Sequence, residues 1–77
     1  MTALPLSMAD PYVPLRIVAI RGGFRRHRKR MADLGLNIGM TISVVSPNIH
    51  GPLILEVKDS RLAIGRGMAH HILVEPL

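Results

Sequence analysis

The chain has 77 residues and a mass of 8.5 kDa, which is enough for one small domain. Hydrophobic residues make up 48% of it and charged residues 19%, a balance typical of a folded domain and not of a disordered one. The absence of cysteine excludes disulfides and thiolate-bound zinc or iron–sulfur centres. A net charge of +5 at pH 7 predicts a negatively charged partner, which is nucleic acid, an anionic membrane surface or an acidic protein face.

The N-terminal segment shows no periodic apolar pattern and carries three prolines, Pro5, Pro11 and Pro14. We predict a flexible tail over residues 1–13, either mobile or lying over the domain in extended form, and a folded domain over residues 14–77. Met8 is a candidate second start site, which would make residues 1–7 dispensable. The sequence has neither the roughly 20-residue apolar run of a membrane-spanning helix nor the pattern of a signal peptide, which predicts a soluble cytoplasmic protein.

A strand and a basic helix open the predicted domain. Leu15–Ile20 is rich in β-branched residues and ends at a glycine pair, which predicts the first strand. A short helix is predicted from Phe24 to Leu34. Its apolar residues Phe24, Met31 and Leu34 are spaced i, i+7 and i+10, which places them on one side of a helix. Gly35 follows directly and suits the C-terminal cap of this helix, where the left-handed conformation is least costly without a Cβ atom.

Four more strands and a helical turn complete the predicted domain. They are strands over residues 41–46 and 53–58, a fourth strand through Leu62 and Ile64, a helical turn over residues 65–70 and a last strand over residues 72–75. Asp59-Ser60 is a two-residue connection that predicts a tight hairpin. We therefore predict a mostly β fold: a small five-stranded SH3-like barrel with one short helix between strands 1 and 2 and a helical turn before the last strand. Closure of the barrel would bury one face of every strand and leave no open edge.

Residues 31–40, MADLGLNIGM, carry a resemblance to a known family. They resemble the segment (R)L-x-x-L/M-G-L-x-x-G of the FeoA family of small bacterial ferrous iron transport proteins. Further matches occur in the family's order, at Gly51-Pro52, Leu62-Ala63-Ile64, Met68-Ala69 and Ile72-Leu73-Val74. The similarity covers about residues 14–76, and the departures from the family pattern are Ile49-His50 and the glycine-rich segment 65–67.

The resemblance implies a cytoplasmic SH3-like domain that works with FeoB, a membrane carrier of ferrous iron with a cytoplasmic G-domain. It attaches no catalysis to the domain. FeoA-like domains also form the C-terminal part of some metal-dependent repressors. On this basis we expect a monomeric accessory protein, recruited to the inner face of the membrane by the transporter, with no nucleic-acid partner and no direct membrane insertion.

Half of the basic residues lie in one run, residues 25–30. The run is either a docking face for an acidic surface or a solvated helix face that keeps the protein soluble. Nucleic acid is the weaker partner, because single-strand binders interleave aromatic residues with their charge and only Phe24 lies near this run. The candidate partner-binding residues of the run are Arg25, Arg26, Arg28, Lys29 and Arg30.

Two loops supply apolar candidates for the same contact. Leu36, on the turn after the helix, either packs in the core or is exposed enough to insert into a partner. The core is favoured, because apolar residues beside a glycine cap usually pack back on the helix. Ile49 and Pro52 are candidate contacts in the loop before the third strand, since loops on rigid barrels carry recognition.

The histidines do not have the spacing of a metal site. His70 and His71 are adjacent, so their side chains diverge on a strand or on a helix. We expect no cofactor, apart from adventitious divalent metal at His70 or His71. We also expect no enzyme, because a barrel of this size offers no deep cleft for a nucleophile and its base, and the glycine-rich segments lack the residues of a phosphate loop.

Two functions stay open at this point. The leading one is an adaptor that binds and modulates the cytoplasmic part of a ferrous iron transporter. The alternative is a metal-regulatory or nucleic-acid-binding module that uses the basic helix. Charge reversal in the helix separates them, because only a nucleic-acid role predicts steep salt dependence of oligonucleotide binding.

Overall fold

Six short strands form one antiparallel sheet in the computed structural model, which describes residues 3–21, 25–46 and 50–77, with the backbone alone for residues 25–28. In chain order the elements are β1 (Leu4–Pro5), a 3-10 helix (Leu6–Met8), β2 (Leu15–Ile20), α1 (Arg25–Asp33), β3 (Thr41–Val44), β4 (Leu53–Val57), β5 (Ser60–Ile64), α2 (Arg66–Ala69) and β6 (Ile72–Pro76). This is the mostly β, SH3-like class that the sequence predicts. The helix lies between the first two of the five predicted strands, and the helical turn precedes the last one.

Strand β3 connects the two halves of the sheet. The strand order is β1-β6-β2-β3-β4-β5, and Thr41 and Ile42 pair with β2 whereas Ser43 and Val44 pair with β4. Among the described residues, β1 and β5 lie at opposite ends of the sheet and do not pair with each other. The predicted closure into a five-stranded barrel is therefore wrong: the sheet has a sixth strand and remains open.

One apolar core is enclosed by this sheet and covered by α1 and α2. On β4 the alternation predicted from the sequence is confirmed, because Leu53, Leu55 and Val57 are buried and Glu56 is exposed. The buried hydrophobic residues are Leu6, Leu15, Ile17, Met31, Leu36, Ile42, Val44, Leu53, Leu55, Val57, Ile64, Ala69, Ile72 and Val74. Each fully buried leucine or isoleucine stabilises the fold by about 1.5–3 kcal/mol relative to an exposed one.

The N-terminal segment belongs to the fold from residue 4 onward. Leu4 pairs with Val74 and Pro5 with Leu73, which places β1 on the outer side of β6. A proline is tolerated there because an edge strand does not need every N–H group for its ladder. Leu6 is 0% exposed and fills the core. Residues 4–8 of the predicted tail therefore lie against the domain, where the pairing of β1 and the burial of Leu6 hold them in place.

Candidate partner-binding surface

Helix α1 exposes its basic residues where its side chains are described. Met31 is 0% exposed and attaches the helix to the core, whereas Lys29 and Arg30 beside it are exposed. Arg25, Arg26 and Arg28 belong to the same helix by backbone, and their side chains lie outside the described part of the structure. The structure thus assigns all five candidate basic residues to one helix and shows the exposure of two.

The end of α1 is closed by a Schellman motif, which determines where Leu36 lies. Gly35 has a φ of +85°, its N–H donates to the carbonyl of Ala32 at 2.9 Å, and the N–H of Leu36 donates to the carbonyl of Met31 at 2.8 Å. In this motif the residue after the glycine contacts the third residue from the end of the helix, which is Met31 here. Leu36 accordingly packs with Met31 in the core at 0% exposure. The prediction that Leu36 packs in the core is confirmed. The alternative, that Leu36 is exposed enough to insert into a partner, is wrong.

The exposed apolar residues of this turn are neighbours of Leu36 that sequence reasoning missed. Ile38 is 65% exposed and Leu34 is 39% exposed. Ile38 lies in a turn fixed by backbone bonds, in which the N–H of Gly39 donates to the carbonyl of Ile17 at 2.7 Å. The sequence marks Ile38 as a β-branched apolar residue inside a turn, between Asn37 and Gly39, but this signal does not tell whether the residue is buried or exposed.

A shallow depression lies between α1, the end of β2 and this turn. It is lined by Ile20, Ala32, Leu36, Asn37 and Ile38. Lys29 precedes Ala32 by one helical turn and so neighbours it on the helix surface. Arg21 follows Ile20 directly, is exposed, and its N–H donates to the carbonyl of His71 at 2.6 Å. We call the exposed residues of α1, this depression and Arg21 the α1 surface: an apolar centre with basic residues beside it.

The second predicted contact loop is not joined to the α1 surface. Ile49 lies outside the described residues. Pro52 is exposed immediately before β4 and does not line the depression. The structure therefore brings together the helix and the turn after it, and leaves the loop before β4 as a separate candidate.

The histidines near the C-terminus lie beside the N-terminal turn. His70 is exposed, its Nδ1 is 3.4 Å from Ser7 Oγ, and its ring centroid is 6.2 Å from that of His71 at an interplanar angle of 71°. Residues 3–21, 25–46 and 50–77 contain no group of three or more His, Asp or Glu side chains that could hold a metal ion. None of the helices in these ranges is long and apolar enough to cross a membrane.

The fold and the α1 surface define a small SH3-like β domain with a candidate surface for binding another macromolecule. The family model of the FeoA domain matches residues 4–76, which is almost the whole chain. The chain belongs to the FeoA family, as its resemblance to that family predicts.

Individual relatives agree with this assignment. Over 47 residues the chain is 45% identical to "Putative Fe(2+) transport protein A" of Methanocaldococcus jannaschii, a match that spans 61% of this chain and 56%, about half, of that protein. The crystal structure of an iron uptake regulatory protein, FeoA, superposes with a TM-score of 0.87 at 35% identity over the full length of both chains. A manganese-dependent transcriptional repressor in complex with manganese superposes with a TM-score of 0.90 at 15% identity, covering this whole chain and 38% of the repressor. That last likeness shows the fold alone.

Proposed function

We propose that this protein is a non-enzymatic cytoplasmic accessory protein of ferrous iron uptake. It binds and modulates the cytoplasmic part of a FeoB-type membrane iron transporter and GTPase. Membership of the FeoA family carries the proposal, since the family model matches residues 4–76. The names of the relatives, a transport protein for Fe(2+) and an iron uptake regulatory protein, support the same process.

The α1 surface supports contact with a protein. Specific interfaces combine an apolar centre with a polar or charged rim. Here Ile38, at 65% exposure, and the depression beside it supply the apolar centre. Lys29, one helical turn before Ala32, and Arg21, next to Ile20, supply exposed positive charge beside it, and Arg30 adds exposed charge elsewhere on α1. This composition suits an acidic cytoplasmic face of a transporter.

The experiment that tests the function is a titration of isotope-labelled protein with the transporter's cytoplasmic part, followed by heteronuclear NMR. We expect amide shifts confined to α1 and residues 34–38. A Lys29→Glu/Arg30→Glu variant should bind at least about tenfold more weakly. Two positive charges of the α1 surface then become negative and repel an acidic partner. Arg61→Glu is the control for charge reversal away from the α1 surface, since Arg61 is exposed on β5 at 69% and forms an ion pair with Glu56 on the neighbouring strand β4.

Binding without functional consequence would contradict the modulating role. Ferrous iron uptake should therefore be measured in cells in which the wild-type chain is replaced by each variant. We expect uptake to fall for Lys29→Glu/Arg30→Glu and to be retained for Arg61→Glu. Equal uptake for all three chains, at equal protein levels, would refute the proposed function.

Iron is cargo of the transporter in this proposal, and the accessory protein holds no resident cofactor. Divalent metal binds it only adventitiously, at His70 or His71. Calorimetric titration with Fe²⁺ and Ni²⁺ should give weak binding that His70→Ala or His71→Ala reduces. A tight site of one ion per chain that survives both replacements would contradict this part of the proposal.

A regulatory role on DNA is the second candidate, because the fold is shared with manganese-dependent transcriptional repressors. The same NMR titration with a short DNA duplex separates the two functions. Binding through phosphates would weaken steeply with salt, with a slope close to the number of phosphates neutralised. We expect no duplex binding at 0.15 M salt, and specific binding there would favour the repressor-type role.

A further inference from the structure

The distribution of charged residues along α1 destabilises the helix. Its first turn holds Arg25 and Arg26 and no acidic residue, although the N-terminal end of a helix carries the positive pole of the macrodipole. Arg25 and Lys29, and likewise Arg26 and Arg30, are like-charged pairs four residues apart, a spacing at which like charges destabilise a helix. The one acidic residue, Asp33, lies at the negative end.

The helix is maintained by docking and capping in spite of these charges. Met31 attaches it to the core at 0% exposure, and the Schellman motif at Gly35 closes its end. Neither contact relieves the repulsion along the basic run. Carboxylates placed on this face would relieve it, because they would interact favourably with the basic side chains and with the N-terminal pole.

We propose that the α1 surface binds an acidic polypeptide segment that carries one apolar side chain, and that the basic run is present for this ligand at the expense of the stability of the free protein. The carboxylates lie along α1, and the apolar side chain enters the depression between Ile20, Ala32 and Ile38. The inference rests on the proposed function and deepens it, since the segment belongs to the transporter's cytoplasmic part.

The apolar depression selects a polypeptide over other polyanions. Phosphates of DNA would pair with the basic run but would leave Ile38, at 65% exposure, uncovered. An anionic bilayer would cover the protruding Ile38 but would not supply a single side chain to fill the depression beside it. A peptide places an apolar side chain within a few residues of its carboxylates, so one short segment satisfies both features. Acidic peptide, DNA and anionic lipid are therefore compared in the test.

The first measurement is the melting temperature of Arg26→Glu in the full chain. This change puts an acid in the first turn and converts the Arg26–Arg30 repulsion into a favourable Glu-to-Arg pair. We expect the melting temperature to rise by roughly 4 to 8 °C at low salt.

Arg61→Glu is the control with the same change in net charge. It replaces the 3.5 Å ion pair of Arg61 with Glu56 by two opposed carboxylates on paired strands, so its melting temperature should fall slightly. A melting temperature for Arg26→Glu that falls or stays unchanged would overturn the claim that the run destabilises the free helix.

The second measurement is binding of a short peptide of glutamates around one leucine. We expect Arg26→Glu to weaken binding about tenfold or more and Arg61→Glu to change it less than about twofold. Ile38→Ala keeps every charge. It should weaken binding of the leucine-containing peptide and leave binding of an all-glutamate peptide unchanged. Equal affinity for the two peptides, or stronger binding of duplex DNA or anionic vesicles, would overturn the proposed ligand.

The outcomes separate this inference from the proposed function. Transporter binding that Arg26→Glu and Ile38→Ala leave unchanged would refute the α1 surface as the docking site while keeping the adaptor role. If the peptide binds as expected but the transporter fragment does not bind at all, the adaptor role is refuted. The proposal that the α1 surface binds an acidic segment with one apolar side chain would then still hold.

Discussion

At the residue scale, the hairpin between β4 and β5 turns through Lys58 with a φ of +55°. In this left-handed conformation the Cβ atom crowds the following carbonyl, which costs about 1–2 kcal/mol for a residue other than glycine. We predict that Lys58→Gly stabilises the protein by about 0.5 kcal/mol, since relief of strain exceeds the added entropy of the unfolded chain. Urea denaturation at fixed ionic strength measures this as a higher midpoint.

The control for this change is Lys58→Ala, which removes the same charge and keeps the Cβ atom. We expect Lys58→Ala to be neutral or slightly destabilising. If both variants shifted the midpoint equally, the effect would come from charge, and the backbone argument would be wrong.

Two apolar residues of one turn are predicted to have different roles, one in the stability of the fold and the other in binding. Leu36 is 0% exposed and Ile38 is 65% exposed, although only one residue lies between them. We predict that Leu36→Ala costs about 2–5 kcal/mol of unfolding free energy, because it leaves a cavity in the core. Ile38→Ala should change stability by less than about 0.5 kcal/mol and weaken transporter binding. Chemical denaturation and the NMR titration measure the two effects, and loss of stability in Ile38→Ala would contradict the assignment.

The sequence predicts one of these two positions and not the other. Gly35 after an apolar helix end predicts a left-handed cap, and the contact that accompanies such a cap explains the burial of Leu36. No periodicity applies to Ile38, because it lies in a turn whose orientation depends on backbone bonds to β2, such as that from Gly39 to Ile17. Those bonds are tertiary, so the sequence does not reveal which residue of the turn is exposed.

At the element scale, the N-terminal strand β1 is the element that no pattern in the sequence predicts. β1 has two residues and one of them is Pro5, so no alternation can mark it as a strand. Its stabilising feature is the side chain of Leu6 in the core. By contrast the strand Leu15–Ile20 is predicted with its observed bounds, because three of its six residues are β-branched, a local composition that favours a strand.

We predict that this segment is required for stability. Leu6→Ala should cost about 2–5 kcal/mol, and deletion of residues 1–7 should cost at least as much, because it removes the same side chain together with β1. Met8→Ala is the matched control, since Met8 is 69% exposed and should change stability by less than about 0.5 kcal/mol. Thermal denaturation followed by circular dichroism measures all three, and an unchanged melting temperature after the deletion would show the segment to be dispensable.

At the scale of the whole molecule, the sequence predicts the fold class and not the closure of the sheet. Closure depends on whether the two end strands meet, which no local pattern records. Here β1 extends the sheet beyond β6, and β5 pairs with β4 on its one described side. The same limit applies to the α1 surface, because the basic run is visible in the sequence and the apolar depression beside it forms only in the fold.

The net charge of +5 gives salt opposite effects on stability and on binding. Raising ionic strength from about 0.01 M to about 0.15 M shortens the Debye length from about 30 Å to about 8 Å. In the free protein this screens the repulsion along α1, so we predict that the melting temperature rises with salt. In the complex it screens attraction to an acidic partner, so the affinity falls, mainly through a slower association rate. Calorimetry and stopped-flow binding in the same buffers measure both, and Arg26→Glu should reduce both salt dependences whereas Arg61→Glu should retain them. An affinity independent of salt would mean that the basic run only keeps the protein soluble.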